Sequence, residues 1–285
     1  MYNIRRANSF ARKKNKIKFK RYIVSISAFS SLLFIIIAIS VLYISKLERF
    51  TISDIRILGN EVIDSSDIEN IVHDELNGKY LWLFPKTSVF LYPSNNIMDS
   101  ILDRWMRVSS VDIYADTMTS LTVRLNERKP AYVWCAQKSK PLNDIDDEEC
   151  YFLDKKGLIF AKAPYFSGPV FLKTYGPVVD VGSYKDTGTE YIGKRFLEKK
   201  EFDKIIILKE SLNAIGMKAV KFEVLGEDTY QFAIEDGTKI ILKKDDNVET
   251  VLDNLDSVLE FLSDRKKIDY IDLRFGNKVF YKLAE

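Results

Sequence analysis

Histidine occurs once, as His73, and cysteine twice, as Cys135 and Cys150, in 285 residues. A Ser-His or Cys-His engine needs a base beside its nucleophile, so a single histidine argues against that chemistry. His73 stands beside Val72 in a helix-like stretch and reads as a surface or boundary residue. The run His73-Asp74-Glu75 lacks the second histidine of a metalloprotease helix. With no Cys-x-x-Cys pair, no His/Cys cluster and no phosphate-cradling glycine loop, neither metal, cofactor nor small-molecule substrate is expected. Only 7 prolines and 12 glycines accompany 13% aromatic residues, which excludes a stalk and indicates a folded chain. Repeats and low-complexity tracts are absent.

Two partial motifs are weighed and set aside. Ser263-Asp264-Arg265-Lys266 fits the S-x-x-K pattern of penicillin-binding enzymes, but KTG is absent and the serine closes a helical pattern among charges. Asp144, Asp146, Asp147, Glu148 and Glu149 lack the spacing and glycine of a calcium loop and read as a solvated hairpin tip. The 41 acids offer many carboxylate pairs of the kind glycoside hydrolysis uses. A wall hydrolase therefore stays among the readings, with no motif to support it.

Charge is missing from residues 22–44, YIVSISAFSSLLFIIIAISVLYI. A helix of that length reaches roughly 34 Å, against a hydrocarbon core of about 30 Å. A signal peptide and a buried core helix are the alternatives. The weak cleavage match at Ala38-Ile39-Ser40 is followed by further apolar residues, and no polar face is present, so a transmembrane helix is the favoured expectation. Tyr22 and Tyr43 suit its two interfaces. Ser27 and Ser31 form a small-xxx-small pair that would permit close helix packing.

Residues 1–21 hold nine cations and no acid, so the N-terminus is expected to stay cytoplasmic and the remainder to lie outside. Such a tail next to an apolar run points to anionic lipid rather than nucleic acid. Setting those nine aside leaves 34 cations against 41 acids, about −7 for the rest, which argues against nucleic acid there too.

Beyond residue 45 the patterns suggest two folded parts. TISDIRILGN reads as a strand. SSDIENIVHDELNG reads as a helix with a Ser66/Glu69 capping box, stopped by Gly78. An extended aromatic connection, YLWLFPKTSVFLYP, leads to a helix in SNNIMDSILDRWM and to strands RVSSVDIY and TSLTVRLNE. This β-α-α-β-β order over 50–129 matches a POTRA module. Strands dominate 130–285: AYVWC, CYFLD, GLIFAK, KAVKFEVLG, TYQFAIE, TKIILKK and a closing DYIDLRFGNKVFYKL. Between GLIFAK and KAVKFEVLG come a Pro/Gly-rich stretch, about 164–193, and a helix in EFDKIIILKESLNAIG; a second helix lies in DNVETVLDNLDSVLEFLSD. The expected class is α+β: an N-terminal transmembrane helix, a POTRA-like domain, then a mainly antiparallel β domain with flanking helices. Cys135 and Cys150 flank a polar insertion between two strand-like runs. They are either a hairpin staple, worth about 3 kcal/mol in the chain-entropy model, or two free thiols.

The basic tail and apolar run, FTISDIRILGN, the junction NERKPAYVW leading to CYFLDKKGLIF, and the ending YIDLRFGNKVFYK occur in this order. Together they resemble the FtsQ/DivIB family of bacterial division proteins. The Cys135–Cys150 insertion and the longer connection at 80–93 depart from its best-known members. The resemblance implies a non-enzymatic, single-pass scaffold of the cell (inner) membrane at the division septum. Its outer β domain would bind FtsB/DivIC-like and FtsL-like partners and help control septal peptidoglycan synthesis. Partner strand addition at the last strand would place contacts on Arg274, Phe275, Gly276, Asn277 and Lys278, with Phe275 either an exposed anchor or core. Glu127, Arg128 and Pro130 would form the joint between the two domains. A POTRA-bearing secretion or envelope-assembly factor is the alternative.

Overall fold

The computed structural model describes residues 26–27, 29–37, 39–40, 43, 47–136, 148–179, 190–261 and 267–284. The basic tail 1–21, the acidic residues Asp144, Asp146 and Asp147, and Ser263–Lys266 lie outside them. The expected transmembrane helix over 22–44 is corrected here. Among the described residues no helix is long and apolar enough to cross a membrane. Residues 22–25, 28, 38, 41, 42 and 44 lie outside the described residues. The fold is α+β with a large, mostly antiparallel sheet, and the chain divides into two compact units. One is Met1–Ile101 with Val111–Leu125, and the other is Leu102–Ser110 with Asn126–Glu285.

The first unit is built on strand β1 (Asp54–Leu58), helix α1 (Ser65–Leu76) and two short strands, β2 (Lys79–Tyr80) and β3 (Phe84–Pro85). Helix α2 (Ser94–Arg104) and the strands β4 (Val108–Ala115) and β5 (Ser120–Glu127) follow, with Leu102–Ser110 and the last two residues of β5 counted in the second unit. The sheet order is β1-β5-β4, with β1 parallel to β5 from Asp54↔Ser120 to Leu58↔Arg124. Helix α1 buries Ile68, Val72 and Leu76, one side chain per turn on a single face. The expected capping box does not form. The helix begins one residue before Ser66, so Ser66 stands inside the first turn, and Asp64 at the cap position makes no side-chain bond. Asn60 braces the approach instead, donating to the Ile63 carbonyl and to Ser65 Oγ at 2.9 Å each. Gly59 turns the chain at φ 81°, where a Cβ would come within 2.2 Å of the Leu125 carbonyl oxygen.

The strands of the second unit form a nine-stranded sheet and a separate two-stranded one. They include β6 (Tyr132–Cys135), β7 (Cys150–Leu153), β8 (Ile159–Lys162) and β9 (Lys173–Tyr175). After the small β10 (Val178–Val179) and β11 (Arg195–Phe196) and helix α3 (Lys199–Ala214) come β12 (Ala219–Leu225), β13 (Thr229–Ile234) and β14 (Lys239–Lys243). Helix α4 (Val248–Phe261), β15 (Ile268–Phe275) and β16 (Lys278–Leu283) close the chain. The order is β16-β15-β14-β13-β12-β9-β6-β7-β8. Neighbours are antiparallel except β14/β15, β12/β9 and β9/β6. Helix α4 makes the β14/β15 connection a crossover, which is why that pair runs parallel.

Two expectations are corrected in this unit. A strand, β9, arises inside the Pro/Gly-rich stretch and lies mid-sheet, where Thr174 is buried and donates to the Val133 carbonyl at 3.1 Å. The closing DYIDLRFGNKVFYKL is a hairpin rather than one strand, because Gly276 takes φ 67° and reverses the chain.

The core joins helix and sheet residues, among them Phe202, Ile205, Leu208, Phe222, Tyr230, Phe232 and Leu255. Phe222 meets Phe196, Tyr230 and Phe232 with centroids 6.1, 5.2 and 4.9 Å away. Phe222→Ala is expected to destabilise this unit by about 3–5 kcal/mol, read as a lower denaturant midpoint.

Candidate partner-binding edge

Strand β15 has both flanks occupied, by β14 through Lys239↔Tyr270, Ile240↔Ile271 and Ile241↔Asp272, and by β16 through five further pairs. Over Tyr270–Asp272 it has no free backbone edge to offer. Strand β16 pairs with β15 alone among the described residues. The Ala284 N–H donates to the Lys267 carbonyl at 2.7 Å, toward β15. Alternation along the strand therefore turns the N–H and C=O groups of Val279, Tyr281 and Leu283 outward. The five residues expected at the docking edge occupy the β15/β16 hairpin end instead: Arg274 and Phe275 finish β15, Gly276 and Asn277 make the turn, and Lys278 starts β16 opposite Phe275.

Phe275 is not core. It is 53% exposed, Phe280 is 52% exposed, and the two rings meet edge to face at 5.0 Å. Arg274 caps this pair with its guanidinium 5.7 Å from the Phe275 centroid, while Nε and Nη2 fork onto Asp272 Oδ1 and Oδ2 at 2.9 and 2.6 Å. The Arg274 N–H also donates to Asp272 Oδ1, at 3.2 Å. Burial pushes the Asp272 carboxyl up, but the bonds and charge of Arg274 outweigh it and hold the group below its ordinary range. Asn254 on α4 donates to the Gly276 carbonyl at 2.7 Å and ties the turn to the helix. Phe280 and Tyr281 on the outer strand were missed by the sequence reading. Their signal was the apolar triplet between lysines in KVFYK, which is hard to separate from an ordinary half-buried strand.

Arg128 is held by three hydrogen bonds. Its Nε donates to the Met106 carbonyl at 3.0 Å and Nη1 to Asp154 Oδ2 at 2.9 Å, while its N–H bonds the Arg107 carbonyl at 2.7 Å. Asp154 Oδ1 takes the N–H groups of Lys156 and Leu158, so this carboxylate organises the β7–β8 turn. Glu127, next to Arg128 in sequence, is buried, and Pro130 lies in the β5–β6 connection. All these residues fall within the second unit.

Cys135 and Cys150 are cross-strand partners of β6 and β7 and are joined in a disulfide. Glu148 lies against them, but sulfurs bonded to each other supply no thiolate for a metal. Glu148 is engaged by Lys173 at 2.9 Å and Tyr175 at 2.6 Å. Burial raises its carboxyl, and these two partners bring it below the usual range. Glu149 pairs with Lys162 at 3.0 Å. His73 is exposed and faces Glu69 at 3.7 Å. Comparison with protein-family models and with curated proteins finds no match.

Arg128→Ala leaves the nearly buried Asp154 carboxylate without its cation, and a loss of about 2–4 kcal/mol is expected in a denaturant titration. Asp272 has its folded-state value lowered, so its contribution is present above the unfolded-state value of about 3.9 and fades as pH falls through the folded one. Asp272→Asn is therefore expected to be less stable than the parent at about pH 7 and to converge with it once the pH has fallen through the folded-state value, as followed by urea midpoints across pH.

Proposed function

We propose that this chain is a non-enzymatic scaffold of the bacterial divisome, of the FtsQ/DivIB kind. It works at the division septum on the extracytoplasmic face of the cell (inner) membrane. Its partners are FtsB/DivIC-like and FtsL-like membrane proteins, and through them it helps control septal peptidoglycan synthesis. The observation that carries this reading is the open outer edge of β16 beside the exposed Phe275/Phe280 pair. An extended partner segment adds there as a tenth strand. Main-chain hydrogen bonds supply affinity, and the two rings with Arg274 supply a side-chain anchor at the hairpin end. The expected contact set thus moves from β15 to the hairpin end and along β16. The Cys135–Cys150 disulfide suits an oxidising compartment outside the cytoplasm. The nine cations of the N-terminal tail suit anionic lipid.

A second reading, an envelope-assembly factor, draws on the first unit. There a groove of about 610 Å³ opens beside β1, lined by Ile52, Ile55, Leu76, Asn77 and Pro85. Recruitment of the tagged chain to mid-cell supports the scaffold, and even distribution around the envelope supports the alternative.

Tyr281→Pro tests the edge directly. It removes one outward N–H and no β15–β16 bond, so stability is expected to change little, while capture of FtsB/DivIC-like and FtsL-like chains by the full-length protein falls sharply. Phe275→Ala weakens capture less, because main-chain pairing survives it. Undiminished capture by Tyr281→Pro would move docking away from this strand.

A further inference from the structure

The connection between α1 and α2 is at odds with its own sequence. Strands β2 and β3 pair with Lys79 opposite Pro85 and Tyr80 opposite Phe84. In the turn between them, Leu81 and Trp82 take φ 47° and 62°, and the Leu83 N–H donates to the Tyr80 carbonyl at 3.0 Å. Turns with two positive φ angles favour Asn and Gly. A bulky residue is strained there. Leu197, the other non-glycine residue with such an angle among the described residues, is buried in the core, and packing offsets its strain. Leu81 and Trp82 have no such return: they are 83% and 92% exposed. Leu83 and Phe90, in the same connection, are exposed as well. Strain and exposure in the same two residues point to a contact outside the chain.

The chemistry around the tip says what that contact is. No acid occurs between Glu75 and Asp99, and the only charges in that interval are Lys79 and Lys86, one on each side of the turn. Neither makes an ion pair among the described residues; Lys86 Nζ lies 5.9 Å from the Tyr80 ring centroid. A leucine and an indole at the apex, tyrosine beside them and two unpaired lysines behind match the layering of a lipid interface. Aliphatic groups go deepest, aromatic rings sit at headgroup level, and ammonium groups reach phosphate. We propose that the Tyr80–Leu83 turn docks onto an anionic lipid surface, inserting Leu81 and Trp82 and placing Lys79 and Lys86 on headgroup phosphates. This does not rest on the scaffold reading.

Tryptophan itself provides the test. The chain holds three, Trp82, Trp105 and Trp134, and none precedes Trp82, so lipid binding by the N-terminal residues adds no tryptophan signal. The full-length protein is mixed with vesicles of phosphatidylcholine and phosphatidylglycerol carrying brominated acyl chains, and tryptophan emission is read. A blue shift with partial quenching is expected. The quenched component is lost in Trp82→Phe, and it is reduced in the exposed double substitution Lys79→Glu/Lys86→Glu and on pure phosphatidylcholine. Equal quenching in the parent and Trp82→Phe overturns the proposal. So does an unquenched Trp82, including one shielded by a protein partner instead of lipid.

Discussion

Three residues, Lys173–Tyr175, pair in parallel with β6 on one side and β12 on the other, and the long sheet exists because of them. On one side of β9 stand β6, β7 and β8; on the other stand β12 to β16. Thr174 is buried at the seam and spends its hydroxyl on the Val133 carbonyl, while the Val133 N–H bonds Leu172. Lys173 and Tyr175 converge on Glu148 next to the disulfide, so the same short strand also holds the base of the β6–β7 hairpin. Without this seam the two groups of strands would present unpaired backbone to each other, at the penalty that buried amides carry.

The far end of the sheet shows how an open edge can be kept without general aggregation. Strand β16 is six residues long, begins with Lys278 and carries Lys282 opposite Asp269 at 3.4 Å. Flanking lysines and a short length discourage indiscriminate pairing. The Arg274–Asp272 fork and the Asn254 bond hold the hairpin end in place, so under the proposed docking a partner would meet a preset surface rather than one it must order.

Much of the fold was legible because its signals are local. The stripe Ile68, Val72, Leu76 marks α1, and Val251, Leu255, Val258 mark α4. Alternation marks β13, where Tyr230, Phe232 and Ile234 are buried. What failed was pairing and placement. The Ser66/Glu69 box is a valid local pattern, but the helix starts one residue earlier and leaves it unused. The turn inside the closing segment leaves no local signal, because alternation across RFGNKVF does not reveal that Gly276 adopts a positive φ. The uncharged run 22–44 has the length and apolarity of a span, yet no described helix there is long enough to make one. Arg274, Phe275 and Lys278 lie at the hairpin end, whereas the exposed Phe280 and Tyr281 on the outer strand gave no distinct signal, because edge and centre strands look alike in sequence.

The order of strands and helices, the paired cysteines' place at a hairpin base and the acid-free aromatic connection at 79–93 all follow from residues within about 15 positions of one another, where propensity and periodicity operate. The tertiary structure alone decided that KTY is a central strand, that β15 is interior and β16 the edge, and that Leu81 and Trp82 face solvent on a strained turn. The first two outcomes depend on which distant backbone groups meet, and pairing between residues thirty or more positions apart leaves no mark on either segment's own pattern; the third depends on no part of the described chain covering that turn.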